Sequence, residues 1–144
     1  MLSKNIKETE KIAKIFLDKL LKAKKNDKAL IIGLSGDLGA GKTAFTKLVA
    51  KHIGIKERVF SPTYVIMKKY SIKLPKYKYF FHMDAYRLEN EKDLLNLGWE
   101  EITNNKEHLV FIEWPENISK AMPKHSKFVF IKHKNEKHRD FKFR

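Results

Sequence analysis

The sequence predicts an α/β protein, a three-layer sandwich in which helices cover both sides of a partly parallel central sheet. Short apolar runs typical of buried strands alternate along the chain with segments of helical periodicity. One apolar run leads through a glycine-rich loop directly into a helix. At 144 residues the chain has the length of one ordinary domain, so residues 1–144 are predicted to form a single domain.

The first half of the chain is predicted to contain a helix, a strand and a second helix. Residues 5–25 carry apolar side chains at helical spacing, namely Ile12, Ile15, Phe16 and Leu20. The run "ALIIGL" (29–34) is bounded by turn residues, which indicates a buried strand. Residues 42–54 form the second predicted helix, which ends at Gly54. Its predicted buried face consists of Phe45, Leu48, Val49 and Ile53.

The second half of the chain is rich in aromatic and β-branched residues. Residues 58–72 and 77–84 predict two strands joined by the turn "KLPK". A helix is expected from residue 85 to about Gly98, and a buried strand follows over residues 107–114. The alternating segments "KFVFIKH" and "HRDFKF" predict a closing hairpin.

The stretch "GDLGAGKT", residues 36–43, has the residue types and spacing of a phosphate-binding loop. A helix start leaves backbone N–H groups unpaired and carries partial positive charge, so a phosphate can bind there without extra side chains. Lys42 would reach the β- and γ-phosphate oxygens, and the Thr43 hydroxyl would occupy one position on Mg²⁺. The predicted fold is therefore P-loop NTPase-like. Its predicted nucleotide-binding loop residues are Asp37, Leu38, Gly39, Ala40, Gly41, Lys42, Thr43 and Ala44.

A magnesium site beside such a loop also needs a carboxylate, usually at the end of a neighbouring buried strand. Glu113 closes "LVFIE", and Asp84 follows "YFFHM". Both are candidates because the carboxyl ends of strands in such sheets converge on the ligand. An ordinary solvated acid at a strand end is the competing interpretation for each.

Three further features, formed by four residues, each allow a functional and a structural interpretation. His82 suits a metal ligand or general base, although a hydrogen-bonded structural histidine is the commoner case. Trp114 suits stacking on a base or substrate, and plain packing equally well. Ser61 and Thr63 in "SPT" suit a loop that senses a γ-phosphate, or a turn stiffened by Pro62.

The chain is strongly basic, with 31 basic and 17 acidic residues and a formal net charge of +14. Such a charge is typical of nucleic-acid binding. Only four basic residues are arginine, however, and arginine is favoured for bidentate contacts to phosphate and guanine. A genome that favours lysine codons explains the excess more simply, and a weak tRNA contact through the lysine-rich surface is the alternative.

Other features of the sequence bear on its compartment. The chain has no cysteine, which excludes a disulfide framework, a thiolate metal site and a cysteine nucleophile. About 18 successive apolar residues would be needed to span a membrane, and no such run occurs. We therefore expect a cytoplasmic protein without membrane association.

Five motifs in order resemble those of the TsaE family, the small bacterial P-loop ATPases needed to make threonylcarbamoyladenosine in tRNA. They are "GDLGAGKTAF", "SPTY", "HMDAYRL", "LLNLGWEE" and "FIEWPE", which together span residues 36–116. One of these motifs alone would be weak, whereas all five in sequence are highly specific.

The resemblance implies roles for particular residues. It assigns Thr43 and Glu113 as magnesium ligands, Asp84 as a further functional acid and Trp114 as a functional tryptophan. With Lys42, the two acids form the implied catalytic set. The loop with Ser61 and Thr63 corresponds to a switch-like segment.

The resemblance also implies an activity and partners. Members bind ATP and ADP with Mg²⁺ and hydrolyse ATP slowly. They act with TsaD and TsaB, which hold the threonylcarbamoyl transferase site, and are expected to reset that complex between cycles. The isolated chain would thus be one component of a larger assembly.

The sequence departs from the family pattern at Ala44, where a second threonine is common, although Thr43 keeps the magnesium position. After Pro123 the match is loose, and Arg139 is the candidate for a position on the nucleotide side. Arg87 is the one arginine near a motif, and its neighbours favour a structural salt bridge at least as strongly as a role at the phosphates. Without a clear arginine finger, slow intrinsic hydrolysis is expected.

Two alternative functions are consistent with a phosphate-binding loop. A small-molecule kinase would share the loop, but it generally needs lid arginines and an acceptor pocket. A basic RNA-binding module with a regulatory nucleotide site would instead bind tRNA with a steep salt dependence.

Overall fold

In the computed structural model, which describes residues 1–57 and 67–144, seven strands form one sheet in the order β1-β7-β6-β2-β5-β4-β3. The strands are β1 (Leu2–Ser3), β2 (Leu30–Ser35), β3 (Met67–Ser71), β4 (Tyr79–Asp84), β5 (His108–Glu113), β6 (Lys127–His133) and β7 (Arg139–Phe143). The helices are α1 (Ile6–Lys22), α2 (Lys42–Ile53), α3 (Glu91–Leu95) and α4 (Trp99–Asn104), with a 3₁₀ segment at Pro115–Ala121.

The centre of the sheet is parallel and its edges are antiparallel. Strand β2 pairs in parallel with β5 and β6, and β5 pairs in parallel with β4. Strands β3, β7 and β1 add antiparallel pairs at the edges. The prediction of a partly parallel sheet is confirmed, and the carboxyl ends of β2, β4 and β5 lie along one edge.

Two hydrophobic cores, one on each side of the sheet, account for the three layers. On one side α1 and α2 bury side chains such as Phe16, Phe45 and Val49 against β2, β5 and β6. On the other side α3, α4 and the 3₁₀ segment bury Leu94, Trp99 and Ile118. The sandwich predicted from the sequence is therefore confirmed.

Helix α1 begins where its sequence predicts, but its buried face is slightly rotated. The Asn5 side chain caps the helix by accepting a hydrogen bond from the Glu8 backbone N–H at 3.0 Å. Ile15, predicted for the buried face, is 43% exposed, and Leu17 is buried instead. The apolar side chains at 12, 13, 16, 17 and 20 then share one face, which is the spacing of a helix packed on a sheet.

The predicted helix from residue 85 to Gly98 is wrong in both its start and its extent. Helix α3 begins only at Glu91, because the Asn90 side chain accepts hydrogen bonds from the N–H groups of residues 92 and 93. Gly98 has a φ of 77°, so it breaks the helical path, and α4 starts immediately after it. Gly54, with a φ of 97°, ends α2 as predicted.

Outside the site, buried His108 is expected to make stability depend on pH. A ring nitrogen, Nδ1, lies 2.9 Å from the Ile102 carbonyl and donates to it, and burial lowers the pKa of His108 more than this hydrogen bond raises it. The folded state therefore binds the proton less readily than the unfolded chain, whose histidines titrate near about 6.5. The stability contributed by neutral His108 is present above that pH and is lost as pH falls through the lowered folded-state pKa.

The variant His108→Phe tests this, because it keeps a ring beside Phe81, whose ring centroid lies 4.6 Å from that of His108. Urea unfolding is measured at about pH 7.5 and at about pH 5.5. On going from the higher to the lower pH, the free energy of unfolding should fall more in the native chain than in the variant. Equal losses in the two proteins would contradict the assignment.

Candidate nucleotide-binding site

The glycine-rich loop joins the end of β2 to the start of α2. Gly39 and Gly41 have φ values of 77° and 108°, in the left-handed region that other residues rarely adopt. A Cβ atom added at either position would meet nothing within 4 Å, so the space beside both glycines is open. No side chain caps α2, which leaves its first backbone N–H groups available to an anion.

Lys42 is held inside the loop that precedes it. Its Nζ donates to the carbonyl oxygens of Gly36 at 2.5 Å and Asp37 at 3.0 Å. The residue is 5% exposed, and burial lowers its pKa, an effect opposed by Glu113 and other nearby carboxylates. The ammonium therefore lies within the loop, on the carbonyl oxygens that a phosphate would replace.

Thr43 connects the loop to the neighbouring strand. Its hydroxyl lies 2.9 Å and 3.1 Å from the two carboxylate oxygens of Glu113, the last residue of β5. Glu113 is 3% exposed. A hydroxyl and a carboxylate at this separation are hard oxygen ligands of the kind that Mg²⁺ prefers.

His82 holds the same carboxylate from β4. Its Nε2 lies 2.6 Å from Glu113 Oε2, and both side chains are buried. The other ring nitrogen, Nδ1, is buried without a hydrogen-bond partner in the described chain. The contact of His82 is that of a hydrogen-bonded structural histidine, and it fixes the orientation of the Glu113 carboxylate.

Asp84 lies beside Glu113, because the two residues are register partners in the parallel pair β4–β5. Burial raises the pKa of Asp84, and a hydrogen bond from the Tyr86 N–H to Oδ1, 2.9 Å long, opposes that increase. The negative charge of Glu113 also raises it. The structure thus places the two predicted acids next to each other at the carboxyl edge.

Trp114 covers the other side of Lys42. The Lys42 Nζ lies 4.2 Å from the Trp114 ring centroid, a cation–π contact. Trp114 has a φ of 59°, the one positive φ of a non-glycine residue in the described ranges, and its ring packs on Tyr86 at 5.0 Å. The sequence predicted strand up to residue 114, whereas β5 ends at Glu113 because the backbone turns at Trp114.

A cavity of about 210 Å³ opens on another side of the loop, and Arg139 contributes to its wall. Ala40, Gly41 and Ala44 also line it, whereas Glu113 and Asp84 do not. The Arg139 Nε donates to the Ala40 carbonyl at 3.1 Å, which ties β7 to the loop. The cavity therefore lies beside the loop, on a different side from the two acidic side chains.

Several predicted residues lie elsewhere or outside the described ranges. Leu38 is at the tip of the loop and is 78% exposed. Arg87 is also exposed, and no carboxylate of the described chain lies within 4 Å of it, so the predicted salt bridge does not form there. Ser61 and Thr63 of the predicted switch-like loop lie outside the described residues.

Some residues of this site were not predicted. Glu116 accepts a hydrogen bond from the Ser35 hydroxyl, and Asn117 donates to the carbonyls of Ala85 and Tyr86 at 2.9 Å and 3.1 Å. These contacts tie the 3₁₀ segment to the ends of β2 and β4. The motif "FIEWPE" gave no signal for these contacts, since they depend on how the chain folds back after Trp114.

In residues 1–57 and 67–144, no cluster of three or more His, Cys, Asp or Glu side chains has the arrangement of a metal site. A metal ion here would therefore need oxygen ligands from a bound phosphate or water besides Thr43 and Glu113. No helix in those ranges is long and apolar enough to cross a membrane.

The succession of β2, the open glycine loop and α2, with a strand-end carboxylate on the first-turn threonine, defines a P-loop-type nucleotide-binding protein. The chain belongs to the TsaE family: the family model described as "Threonylcarbamoyl adenosine biosynthesis protein TsaE" matches residues 3–141.

Individual relatives agree with the family model. The chain is 41% identical over 113 residues to a tRNA threonylcarbamoyladenosine biosynthesis protein TsaE of Rickettsia prowazekii, covering 78% of this chain and 71% of the relative. It is 37% identical over 140 residues to the TsaE of Bacillus subtilis, covering 96% and 80%. The crystal structure of Bacillus subtilis YdiB has a TM-score of 0.76 and 31% identity, covering 99% of this chain and 82% of that one.

Proposed function

We propose that this chain is an ATP-binding and slowly hydrolysing component of the tRNA threonylcarbamoyladenosine machinery, and that it acts together with TsaD and TsaB. The observation that carries the proposal is the contact of Thr43 with Glu113, at 2.9 Å and 3.1 Å, directly after the glycine loop. Family membership supports the role in tRNA modification.

The loop would hold the phosphates of ATP or ADP. The uncapped start of α2 presents backbone N–H groups, and the left-handed glycines allow close approach of the phosphate oxygens. Lys42 would leave the carbonyls of Gly36 and Asp37 and donate to the phosphate oxygens instead. The face of the Trp114 ring would hold the Lys42 ammonium beside the phosphates through the cation–π contact.

Thr43 and Glu113 would hold Mg²⁺, which when bound neutralises charge on the phosphate oxygens. Their oxygen atoms already face each other, and His82 keeps the carboxylate in that orientation from the opposite side. Asp84 would orient the attacking water. One of its oxygens is held by the Tyr86 N–H, and burial raises its pKa, which makes the other oxygen a better proton acceptor.

The adenosine would occupy the cavity lined by Ala40, Gly41, Ala44 and Arg139. The variant Ala44→Leu tests this placement, because residue 44 is exposed in the first turn of α2 and leucine suits a helix. We expect it to weaken ATP and ADP binding about tenfold and to leave tripolyphosphate binding unchanged. Lys47→Leu, on the next turn of α2, is the control. If tripolyphosphate binding were weakened equally, the substitution would be acting on the phosphate loop and not on an adenosine site.

We expect slow hydrolysis by the isolated chain, because no arginine of residues 1–57 and 67–144 is placed to add charge at the phosphates. Arg87 is exposed, and Arg139 is engaged with the carbonyls of Ala40 and of residues 135, 136 and 138. We propose that docking to TsaD and TsaB completes the site, so that hydrolysis times a reset of the complex between cycles.

The role in the assembly is tested by counting rounds of tRNA modification by TsaD and TsaB supplied with the threonylcarbamoyl donor. We expect repeated rounds only when this chain and ATP are both present. The variant Lys42→Ala should leave the complex limited to about one round. Repeated rounds with that variant would contradict the proposed role, even if the chain binds ATP.

A further inference from the structure

Part of the sheet has a face that neither core covers. In β6 and β7 the side chains of Val129, Ile131 and Phe141 point toward α1 and α2. The alternate side chains lie on the opposite face. These alternate residues, which we call the open sheet face, are Phe128, Phe130, Lys132, Asp140, Lys142 and Arg144.

Two aromatic rings lie side by side on the open sheet face. The centroids of Phe128 and Phe130 are 6.2 Å apart with an interplanar angle of 29°. Both residues are only half-buried, and neither belongs to either hydrophobic core of the described chain. A Cβ added to Gly33 would come within 2.8 Å of the Phe128 ring, so this ring lies closely against the backbone of β2.

Basic side chains surround these rings. The Arg144 guanidinium carbon lies 5.5 Å from the Phe130 centroid, and Lys142 is the register partner of Phe130 on β7. Lys132 and Lys142 are exposed, and no carboxylate of the described residues lies within 4 Å of either ammonium.

The acids on and beside this face, Asp140 opposite Lys132 and Glu116 near the end of β2, have other partners. Asp140 lies 3.6 Å from the Met1 ammonium, and Glu116 accepts from the Ser35 hydroxyl. With three cations and one carboxylate, the open sheet face carries net positive charge beside two accessible rings. An apolar protein surface would match the rings but would leave these cations without partners.

We propose that the open sheet face binds unpaired nucleotides of an RNA, with bases stacked on Phe128 and Phe130 and phosphates bound by Lys132, Lys142 and Arg144. Aromatic side chains on a sheet accept bases of any sequence, and flanking cations follow the backbone. The net charge of +14 favours association with a polyanion, and the tRNA-related family makes RNA the expected source. This surface is distinct from the nucleotide site and does not depend on ATP hydrolysis.

The first test measures binding of the full chain to a fluorescent RNA hairpin with an unpaired loop, by anisotropy over a range of salt concentrations. A fully paired RNA of equal length is the comparison. We expect the hairpin to bind about tenfold more tightly than the duplex, since only unpaired bases can stack on the rings. Equal binding of the two RNAs would overturn the stacking proposal.

Charge-matched variants locate the binding surface. Lys132→Glu with Lys142→Glu should weaken hairpin binding more than about tenfold and reduce the salt slope by about 1.4, because two phosphate contacts are lost. Lys11→Glu with Lys14→Glu has the same net charge, and these lysines are exposed on α1, which packs on the other side of the sheet. An equal loss in this control would show nonspecific attraction and would overturn the proposal.

A conservative ring variant separates stacking from charge. Phe130→Leu keeps an apolar side chain but removes the ring, so the preference for the hairpin over the duplex should fall about tenfold. Phe143→Leu, on the α1 side where its ring stacks on Phe16 at 4.9 Å, should keep that preference. Unchanged hairpin binding in Phe130→Leu would contradict the proposal. A second result would also contradict the proposal: the wild-type chain is a dimer, and the variants of the open sheet face dissociate it without changing RNA binding. A second copy of the chain would then occupy the face.

Discussion

Replacing Lys42 with alanine is expected to reduce ATP hydrolysis by about 10²- to 10³-fold and to weaken ATP binding strongly. Lys42 is the cation held within the loop, where its Nζ contacts the carbonyls of Gly36 and Asp37 and the ring of Trp114. Alanine cannot supply a donor to the phosphates. Phosphate release and equilibrium binding of a fluorescent ATP analogue would measure the two effects.

The control for this variant is Lys47→Ala, which removes an exposed lysine from the next turn of α2. It should retain the binding and turnover of the native chain. Thermal unfolding of both variants would show whether the fold is kept. Full turnover by a folded Lys42→Ala protein would contradict the assignment of the loop as the phosphate site.

Replacing Glu113 with glutamine is expected to remove the effect of Mg²⁺ on nucleotide affinity and to reduce hydrolysis by about 100-fold or more. Glutamine has nearly the same shape and keeps one oxygen as an acceptor for Thr43 or His82, so the loss reports the missing charge. Titrations of ADP with Mg²⁺ and with a chelator measure this directly.

Glu107→Gln is the matched control, because it removes one carboxylate just before β5, at the opposite end from Glu113. The Glu107 carboxylate forms a surface ion pair with Lys78, 3.4 Å long, so the loss of its charge should have little effect on stability. A Glu113→Gln protein whose ADP affinity still increases with Mg²⁺ would exclude Glu113 as the ion's carboxylate. Asp84 would then be the candidate to replace next.

The local order of strand, loop and helix around residues 36–43 could be predicted from the sequence because each signal is local. Glycines at fixed spacing, an apolar run before them and a helical period after them require no knowledge of distant contacts. The two strand-end acids were also predictable as neighbours, since parallel strands end at a common edge. Their role as ligands stays a prediction.

Other parts of the fold depend on distant contacts that the local pattern does not contain. Strand β1 has only two residues, and it exists because it pairs with β7 at the far end of the chain. The alternation in "HMD" places residues 82 and 84 on one face of β4. It does not show that His82 contacts Glu113, because Glu113 lies on a different strand. The turn at Trp114 and the break at Gly98 are single left-handed residues within otherwise regular patterns.

We propose that the loop and Glu113 form a Mg²⁺-dependent ATPase site that the partners stimulate. The most direct measurement is steady-state phosphate release from ATP by the purified chain, with and without Mg²⁺, before and after addition of TsaD and TsaB. We expect slow release that requires Mg²⁺, increases with both partners and disappears in Lys42→Ala. Phosphate release that does not depend on Mg²⁺, or that is unchanged in Lys42→Ala, would contradict this proposal.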